Sequence, residues 1–501
     1  MKRSIIFALL LALLMGFLAM AEEGTLNYTS DFSSDLDGWF PRSSGTAQAE
    51  IIDGALRISR RTASWNSPGR YFELVPGSEY HISCEVMQTE VDSAEFMISV
   101  AHSKNGVETY ENLARGNAAK DKWTKLNCTF TFGDFDQYVL YVETVGNATL
   151  DFSIRNFKVV GESVTYDTSI PSLKEAYKPY FDFGCAVTQI EALNVQRMDF
   201  YATQFGIMTC GNELKPDYVI DIPASKEAAK EDETAVAVKF DAAKPMLDYC
   251  FKNGIAIHGH TLVWHNQTPE AFFHEGYEIS KPLVSRDVML ARLENYIHSV
   301  MDGLEEAYPG LIVSWDVVNE AVDDATGRLR TSNWTKVVGD DFVPRAFEYA
   351  RKYAPEGTLL FYNDYSTPYE PKLSGILRLL DTLIEEDSID GYGFQAHYEL
   401  TSPSISMLHN ALEKVAQRGL LIRISELDVK VSALNDSAFT MQAGRYEALM
   451  KEFLRFSDSI VAVHTWGVSD DLSWLANKYP LLFDKALTPK PAFYKLIELV
   501  S

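Results

Sequence analysis

Three things are scarce in this chain, and each scarcity excludes a class of protein. Cysteine is the first: there are five in 501 residues, Cys84, Cys128, Cys185, Cys210 and Cys250. None stands in a CxxC pair, which excludes a zinc ribbon or a dithiol redox site. A disulfide scaffold is not expected in so long a chain. Cys84 and Cys128 lie on alternating, strand-like stretches and could meet across a sheet, but a buried apolar role suits all five. Basic charge is the second: 45 Lys and Arg face 70 Asp and Glu, for a net charge of −25. Such a surface repels phosphate backbones and anionic membranes, and no local basic stripe interrupts it, so no nucleic-acid partner is expected. Long apolar runs are the third, for none after residue 20 reaches the ~18 residues of a membrane span. What remains is ordinary: 46% apolar residues, 29 glycines and 19 prolines. That balance excludes a disordered, collagen-like or coiled-coil chain and leaves material for a large core.

The one greasy run opens the chain. Lys2 and Arg3 precede Ile5 to Met20, and Ala19-Met20-Ala21 precedes Glu22-Glu23. A basic start, an apolar middle and a small-x-small end describe a secretory signal peptide over residues 1–21. The mature protein is then expected to be secreted, extracellular or periplasmic, with no membrane contact. An uncleaved anchor is the alternative, since the run approaches spanning length.

Residues 24–161 read as all-β. Short alternating runs recur at Glu50–Ile52, Ala55–Ile58, Tyr80–Val86, Phe96–Val100, Lys125–Phe132, Tyr138–Glu143 and Leu150–Ile154. Turn pairs such as Asp53-Gly54 and Asn105-Gly106 separate them, the pattern of an antiparallel sandwich or jelly roll. Over residues 167–501 strands alternate with amphipathic helices. Eight candidate strands are legible: Phe183–Val187, Gly206–Cys210, Ile255–Val263, Ile312–Val318, Leu359–Tyr362, Gly391–Ala396, Leu421–Leu427 and Ile460–Trp466. The runs are largely apolar rather than alternating, several of them β-branched, as expected for parallel strands buried on both faces. Eight such units predict a (β/α)8 barrel. A doubly wound open sheet competes, but no glycine-rich dinucleotide loop follows the first strand.

Chemistry in such a barrel sits at the carboxyl ends of the strands, and polar residues crowd there. Strand two runs into Asn212 and Lys215, strand three into His258, His260, Trp264 and His265, and strand four into Asn319 and Glu320. Strand five ends in Asn363-Asp364, six in Gln395 and His397, seven in Glu426 and Asp428, and eight in His464 and Trp466. Glu320 and Glu426 each follow an apolar run, so both are expected to point into one cleft. Two carboxylates flanking a bond are the minimum for glycoside cleavage, provided their surroundings separate the two pKa values. Trp264, Trp466 and Trp474, with Tyr365 and Tyr398, offer flat faces for sugar C–H bonds. The pair His258-x-His260 also fits a metal-dependent hydrolase, a reading opposed by its place on strand three and by Thr261 and Trp264 around it.

These motifs together resemble the family 10 glycoside hydrolases, the endo-β-1,4-xylanases, over residues 167–501. The residues that carry the resemblance are His258–His265, Trp315–Glu320, Gly393–His397 and Ile424–Asp428. The resemblance implies a retaining double displacement without metal or cofactor, on xylan and xylo-oligosaccharides, with no obligate protein partner. Glu320 would be the acid/base and Glu426 the nucleophile. Asn319 would bind the 2-hydroxyl of the sugar being cleaved, and His397, tuned by Asp428, would orient Glu426. Asn212, Lys215, His260 and Trp264 would line the glycone side, Gln395 would lie beside the nucleophile, and Trp466 and Trp474 would roof the same subsites. The second-strand motif departs from the family, with Gly211 and Pro216 where Glu and Trp are common, and Glu213 could substitute for the lost contact. The insert at residues 217–240 is expected to be a solvated excursion. Residues 24–161 resemble a family 22 xylan-binding module through Trp39–Arg42, Trp65–Pro68 and Tyr141–Glu143, which implies xylan contacts at Arg42, Trp65, Tyr110 and Glu143. Trp39, by contrast, is expected in the sandwich core.

Overall fold

Strands that alternate apolar with polar residues need a partner sheet for the apolar face, and this requirement shapes the first part of the chain. The computed structural model describes residues 25–33, 35–42 and 46–501; the leader expected over 1–21 lies outside them. Two compact units are present, Met1–Thr165 and Tyr166–Ser501.

The first unit is a sandwich of two antiparallel sheets. One sheet runs Gln48–Ile52, Ala55–Ser59, Phe152–Glu162, Glu79–Met87, Thr124–Thr131, with Thr25–Thr29 also paired to Phe152–Glu162. The other runs Phe40–Arg42, Ser67–Arg70, Gln137–Thr144, Ser93–Lys104, Val107–Ala119. Leu140, Val142, Ile98 and Val100 from the second sheet meet Leu56, Ile82, Val86, Ile154 and Val159 from the first in one buried core. Trp39 belongs to that core, edge-on to Phe157 at 4.6 Å between ring centroids. Cys128 stands opposite Ile82 and Cys84 opposite Leu126, so the two thiols share a face diagonally, and all five cysteines are free.

Sequence patterning missed four of these strands. The longest, Val107–Ala119, is an edge strand whose first six residues are all exposed. With neither face buried along that length, no apolar period marks it, and only pairing with Ser93–Lys104 holds it as a strand. Phe40–Arg42 and Ser67–Arg70 carry Pro41 and Pro68, which cannot donate to a ladder.

The second unit is a closed parallel barrel. Its strands in chain order are Asp182–Val187, Ile207–Cys210, Ala256–Trp264, Ile312–Asn319, Leu359–Asp364, Gly391–Phe394, Leu421–Lys430 and Ile460–Thr465. Strand one pairs with strands two and eight, and strand six pairs with strand seven, so no edge is left. Some of the helices between them start at a side-chain cap: the Ser404 hydroxyl accepts the Met407 N–H ahead of Ile405–Ala416. That helix buries Leu408, Ala411, Leu412 and Val415, the one-face spacing of an amphipathic helix. Leu408, Leu412 and Val415 each contribute about 1.5–3 kcal/mol of burial, and truncating Leu412 to Ala would cost about 2–5 kcal/mol. Among the described residues no helix is long and apolar enough to cross a membrane.

The insert after strand two, expected to be a solvated excursion, is mostly exposed or half-buried, with Val219, Ile220 and Ser225 as its buried residues. It forms Pro216–Val219 and Ile222–Ala228 and is tied down from inside. The fully buried Arg292, on the helix Arg286–Ala307, donates to the Glu233 carbonyl at 2.9 Å and to the Phe272 carbonyl at 2.7 Å. One guanidinium thus staples the insert to the loop after strand three.

Candidate active site

Strand four delivers Asn319 as its last residue and Glu320 just beyond it. Glu320 turns the chain with φ of +56°, a left-handed conformation that costs a non-glycine residue about 1–3 kcal/mol and persists only where its surroundings impose it. They do so here. The Glu320 N–H donates to the Asn363 carbonyl at 2.9 Å, and its own carbonyl accepts Arg330 Nε at 3.3 Å. The side chain is held as firmly. Trp264 Nε1 donates to Oε2 at 3.0 Å and Gln395 Nε2 to Oε1 at 2.9 Å.

Glu426 lies within strand seven and is buried. Asn363 Nδ2 donates to its Oε1 at 2.8 Å and His397 Nε2 to its Oε2 at 3.1 Å. The other ring nitrogen of His397 meets Asp428 Oδ2 at 2.8 Å. An imidazole between two carboxylates donates from both nitrogens only as the cation. Burial by itself would lower the His397 value, but Asp428 and then Glu426 outweigh it and raise it to about 10. Burial would likewise raise Glu426, yet the His397 hydrogen bond and the charges of His397 and Lys215 hold it below the ordinary carboxylate value. The site therefore keeps Glu426 ionised.

Three side-chain amides join the two carboxylates. Asn319 Oδ1 accepts Asn363 Nδ2 at 3.1 Å and Gln395 Nε2 at 3.2 Å, the same two amides that bind Glu426 and Glu320. Asn363 is the residue that sequence reading noted at a strand end but gave no role. Its position depends on Gly393 of the neighbouring strand, where an added Cβ would stand 2.4 Å from Asn363 Oδ1. Ser425 Oγ completes its setting by donating to that Oδ1 at 2.6 Å.

On one side of this bridge lies a cation under aromatic rings. Lys215 Nζ donates to Asn212 Oδ1 at 2.9 Å and to Gln267 Oε1 at 3.2 Å, and sits 5.0 Å from the Trp264 ring centroid and 6.0 Å from that of Trp466. Burial lowers the Lys215 value, opposed by Glu426 and its acidic neighbours. His260 is edge-on to Trp466 at 5.4 Å and bonds Asp316 Oδ2 through Nδ1 at 2.8 Å. His258 approaches the same oxygen at 3.0 Å, and burial pushes its value down to about 4. Both members of the His-x-His pair are thus turned to one aspartate, and among the described residues no group of His, Cys, Asp and Glu is placed to hold a metal ion. Gln267 joins this cluster without any prior signal beyond its place three residues after Trp264.

Trp466 and Trp474 flank His397, with ring centroids at 6.5 and 4.9 Å. Trp474 is 63% exposed and donates Nε1 to Asp428 Oδ2 at 2.9 Å, so one aspartate oxygen holds both the tryptophan and His397. Tyr398, expected to offer a sugar platform, is instead buried; Tyr365 receives a hydrogen bond from Arg330 at 3.0 Å. Glu213 does not stand in for the contact absent at Gly211. It is buried, and its carboxylate accepts the backbone N–H groups of Gln189 at 2.8 Å and Asn212 at 3.0 Å.

A second candidate surface lies on the sandwich, on the outer face of the sheet that contains Gln137–Thr144. The Arg42 guanidinium stacks 3.7 Å over the Tyr141 ring. To reach it the side chain passes over Gly69, where a Cβ would lie 2.7 Å from Arg42 Cδ. Glu143 is buried beside it and accepts the Ser99 hydroxyl at 2.9 Å. Ala101, opposite Val139, brings Tyr110 to the same face. Tyr110 is 58% exposed, and Trp65, in the turn before Ser67–Arg70, is 46% exposed. Tyr141, unassigned from sequence, is the residue on which Arg42 rests.

A closed parallel barrel with a bridged carboxylate pair, a buried imidazolium and flanking tryptophans at its strand ends defines a class, the barrel glycoside hydrolases. Comparison with known proteins narrows it. The family model described as "Glycosyl hydrolase family 10" matches residues 172–499, and one described as "Carbohydrate binding domain" matches residues 24–149. The chain belongs to glycosyl hydrolase family 10. Endo-1,4-beta-xylanase B of Butyrivibrio fibrisolvens is 40% identical over 65% of this chain and 53% of its own length. Endo-1,4-beta-xylanase A of Thermoanaerobacterium saccharolyticum is 32% identical over 93% of this chain and 41% of its own. The chain thus spans about half the length of these relatives. Among solved structures, the CBM22-1 and GH10 modules of Clostridium thermocellum endo-1,4-beta-D-xylanase 10B, complexed with xylohexaose, share 27% identity and a TM-score of 0.73 over 96% of this chain and 98% of that one. The intracellular xylanase TsXylA of Thermoanaerobacterium saccharolyticum, as a mutant complexed with xylotriose, shares 34% identity and a TM-score of 0.60 over 67% of this chain and 100% of that one.

Proposed function

We propose that this protein is a secreted, retaining endo-1,4-β-xylanase that cleaves internal β-1,4-xylosidic bonds of xylan, with a sandwich that holds the polymer. The observation that carries the reading is the amide bridge, in which Asn363, Asn319 and Gln395 link Glu426 to Glu320 through consecutive hydrogen bonds. Glu426, ionised by its imidazolium partner, attacks the anomeric carbon while Glu320 gives its proton to the departing oxygen. Glu320, now a base, takes a proton from the water that releases the sugar from Glu426. Asn319, its oxygen occupied by two amides, has its N–H2 left to hold the 2-hydroxyl. Proton and nucleophile both come from side chains, so the reaction calls for no cofactor. The names of the relatives and the xylohexaose and xylotriose of the neighbouring structures support xylan as the polymer. Secretion rests on Lys2, Arg3 and the apolar run that follows them.

The test is hydrolysis of xylan beside carboxymethylcellulose, followed by proton NMR. Reducing ends from xylan with the β-anomer formed first are expected. First-formed α-anomer would refute retention, and faster release from carboxymethylcellulose would move the substrate to a β-glucan.

A further inference from the structure

Just behind the reacting groups is a hydroxyl with no access to substrate or solvent. Tyr362 belongs to strand five and is fully buried. Its oxygen accepts the backbone N–H of Ala321 at 3.0 Å and that of Val322 at 3.2 Å, the two residues that follow Glu320. The same hydroxyl donates to Asp364 Oδ2. A phenol oxygen has one proton and two lone pairs, so all its hydrogen-bonding capacity is used, and two-thirds of it on the chain leaving Glu320. Asp364 is itself fully buried, accepting the Tyr365 N–H at 2.9 Å and facing Lys372 Nζ at 2.8 Å. Lys372 in turn reaches Asp324 at 2.6 Å, back on the loop after strand four.

Strand five therefore grips the turn at Glu320 along consecutive residues. The Asn363 carbonyl takes the Glu320 N–H, and Tyr362 takes the next two. Without these acceptors the left-handed turn at Glu320 has no reason to persist, since extended backbone is open to it. Relaxing φ would swing the carboxyl away from Trp264 and Gln395, whereas the side chains of Asn363 and His397, which donate to Glu426, stand outside that turn.

We propose that Tyr362, oriented by Asp364, is a positioning residue that holds Glu320 in its proton-transferring pose. The inference rests on the acid/base reading of Glu320. It makes a claim that a general packing role does not: loss of the hydroxyl harms the steps that need proton transfer and spares those that do not.

Aryl xylobiosides separate the two. A 2,4-dinitrophenyl leaving group departs without protonation, whereas a phenyl leaving group requires it. In Tyr362→Phe, kcat/KM for the phenyl substrate should fall roughly 10–100-fold, within the range of general acid catalysis, while the dinitrophenyl substrate loses less than about threefold. Azide, a nucleophile that needs no base, should raise kcat of the variant on the dinitrophenyl substrate and leave the unaltered protein unchanged. Asp364→Asn keeps an oxygen to receive the phenol proton but removes the charge, and should show the same pattern more weakly even where Tyr362→Phe folds poorly. Equal losses on both substrates with no azide effect, in folded variants, would overturn the proposal. Glu320→Ala is the control. If it too lacks leaving-group dependence and azide response, the acid/base reading fails first.

Discussion

The sandwich and the barrel both present a surface suited to a polysaccharide, and they build it in opposite ways. In the barrel every oxygen of Glu320 and Glu426 has a fixed donor, and one chain of amides runs between them. On the sandwich the prominent groups are Trp65 and Tyr110, exposed rings with one stacked arginine and one buried carboxylate behind them. The first arrangement leaves charge in place for a reaction and needs no rearrangement when it occurs. The second offers area for stacking and can tolerate error in position. Adhesion and chemistry thus place different demands on preorganisation.

The sharpest break in this comparison comes from the carboxylates. Glu426→Gln should lower kcat by on the order of 10⁴ or more, as loss of a nucleophile does, and Glu320→Gln by about 10²–10⁴ on substrates with poor leaving groups. Both variants should retain affinity for xylan. Glu320→Gln should keep the melting profile of the parent, whereas Glu426→Gln should stay folded but lose the stability that the ionised carboxylate contributes beside His397. A steady-state assay beside a thermal melt tests this, and a residual rate near that of the parent would remove either residue from its role.

Next in size is Asp428→Asn. It withdraws the charge that keeps His397 protonated, and with it the cation beside Glu426. A cation lowers a neighbouring carboxylate pKa, so weakening it lets Glu426 take up a proton at higher pH. The acid limb of the kcat/KM profile should therefore move upward, with a loss of roughly tenfold at its optimum. Linkage gives the matching stability window. The contribution of His397 is complete below the ordinary imidazole value and disappears as pH rises through about 10. That of Glu426 is present above the ordinary carboxylate value and disappears as pH falls through its depressed one. An unmoved acid limb would separate His397 from the nucleophile.

The smallest effect belongs to the sandwich. Trp65→Ala should weaken binding to soluble xylan by roughly 5–30-fold, the scale of one aromatic contact, and leave turnover of a short aryl xylobioside unchanged. Affinity electrophoresis in xylan gels beside a chromogenic assay would reveal it. Equal binding by parent and variant would return Trp65 to the status of an ordinary surface ring.

Much of the barrel was legible because its code is local. Most strands announce themselves as apolar runs, several of them rich in Ile and Val, and polar residues end them. Glu320, Glu426, His397 and Asp428 could be picked out on that basis. Asn363 and Gln267 could not be given roles, because what they touch depends on strands five and three being laid beside their neighbours. Tyr398 carried the same aromatic signal as Tyr365 and was buried all the same. In the sandwich the strand Val107–Ala119 escaped notice since pairing along one edge, rather than burial, keeps it extended.

Composition, periodicity and motif order by themselves determined an all-β part followed by an eight-stranded parallel barrel, and which end of that barrel carries reactive side chains. Those properties follow from the period at which apolar residues recur, which neighbours in the chain can express. Only the tertiary structure decided how the two carboxylates are joined, that Gly393 makes room for Asn363, and that a buried tyrosine holds the turn at Glu320. Those depend on side chains from strands four to seven meeting within about 3 Å, a coincidence in space that no spacing along the chain encodes.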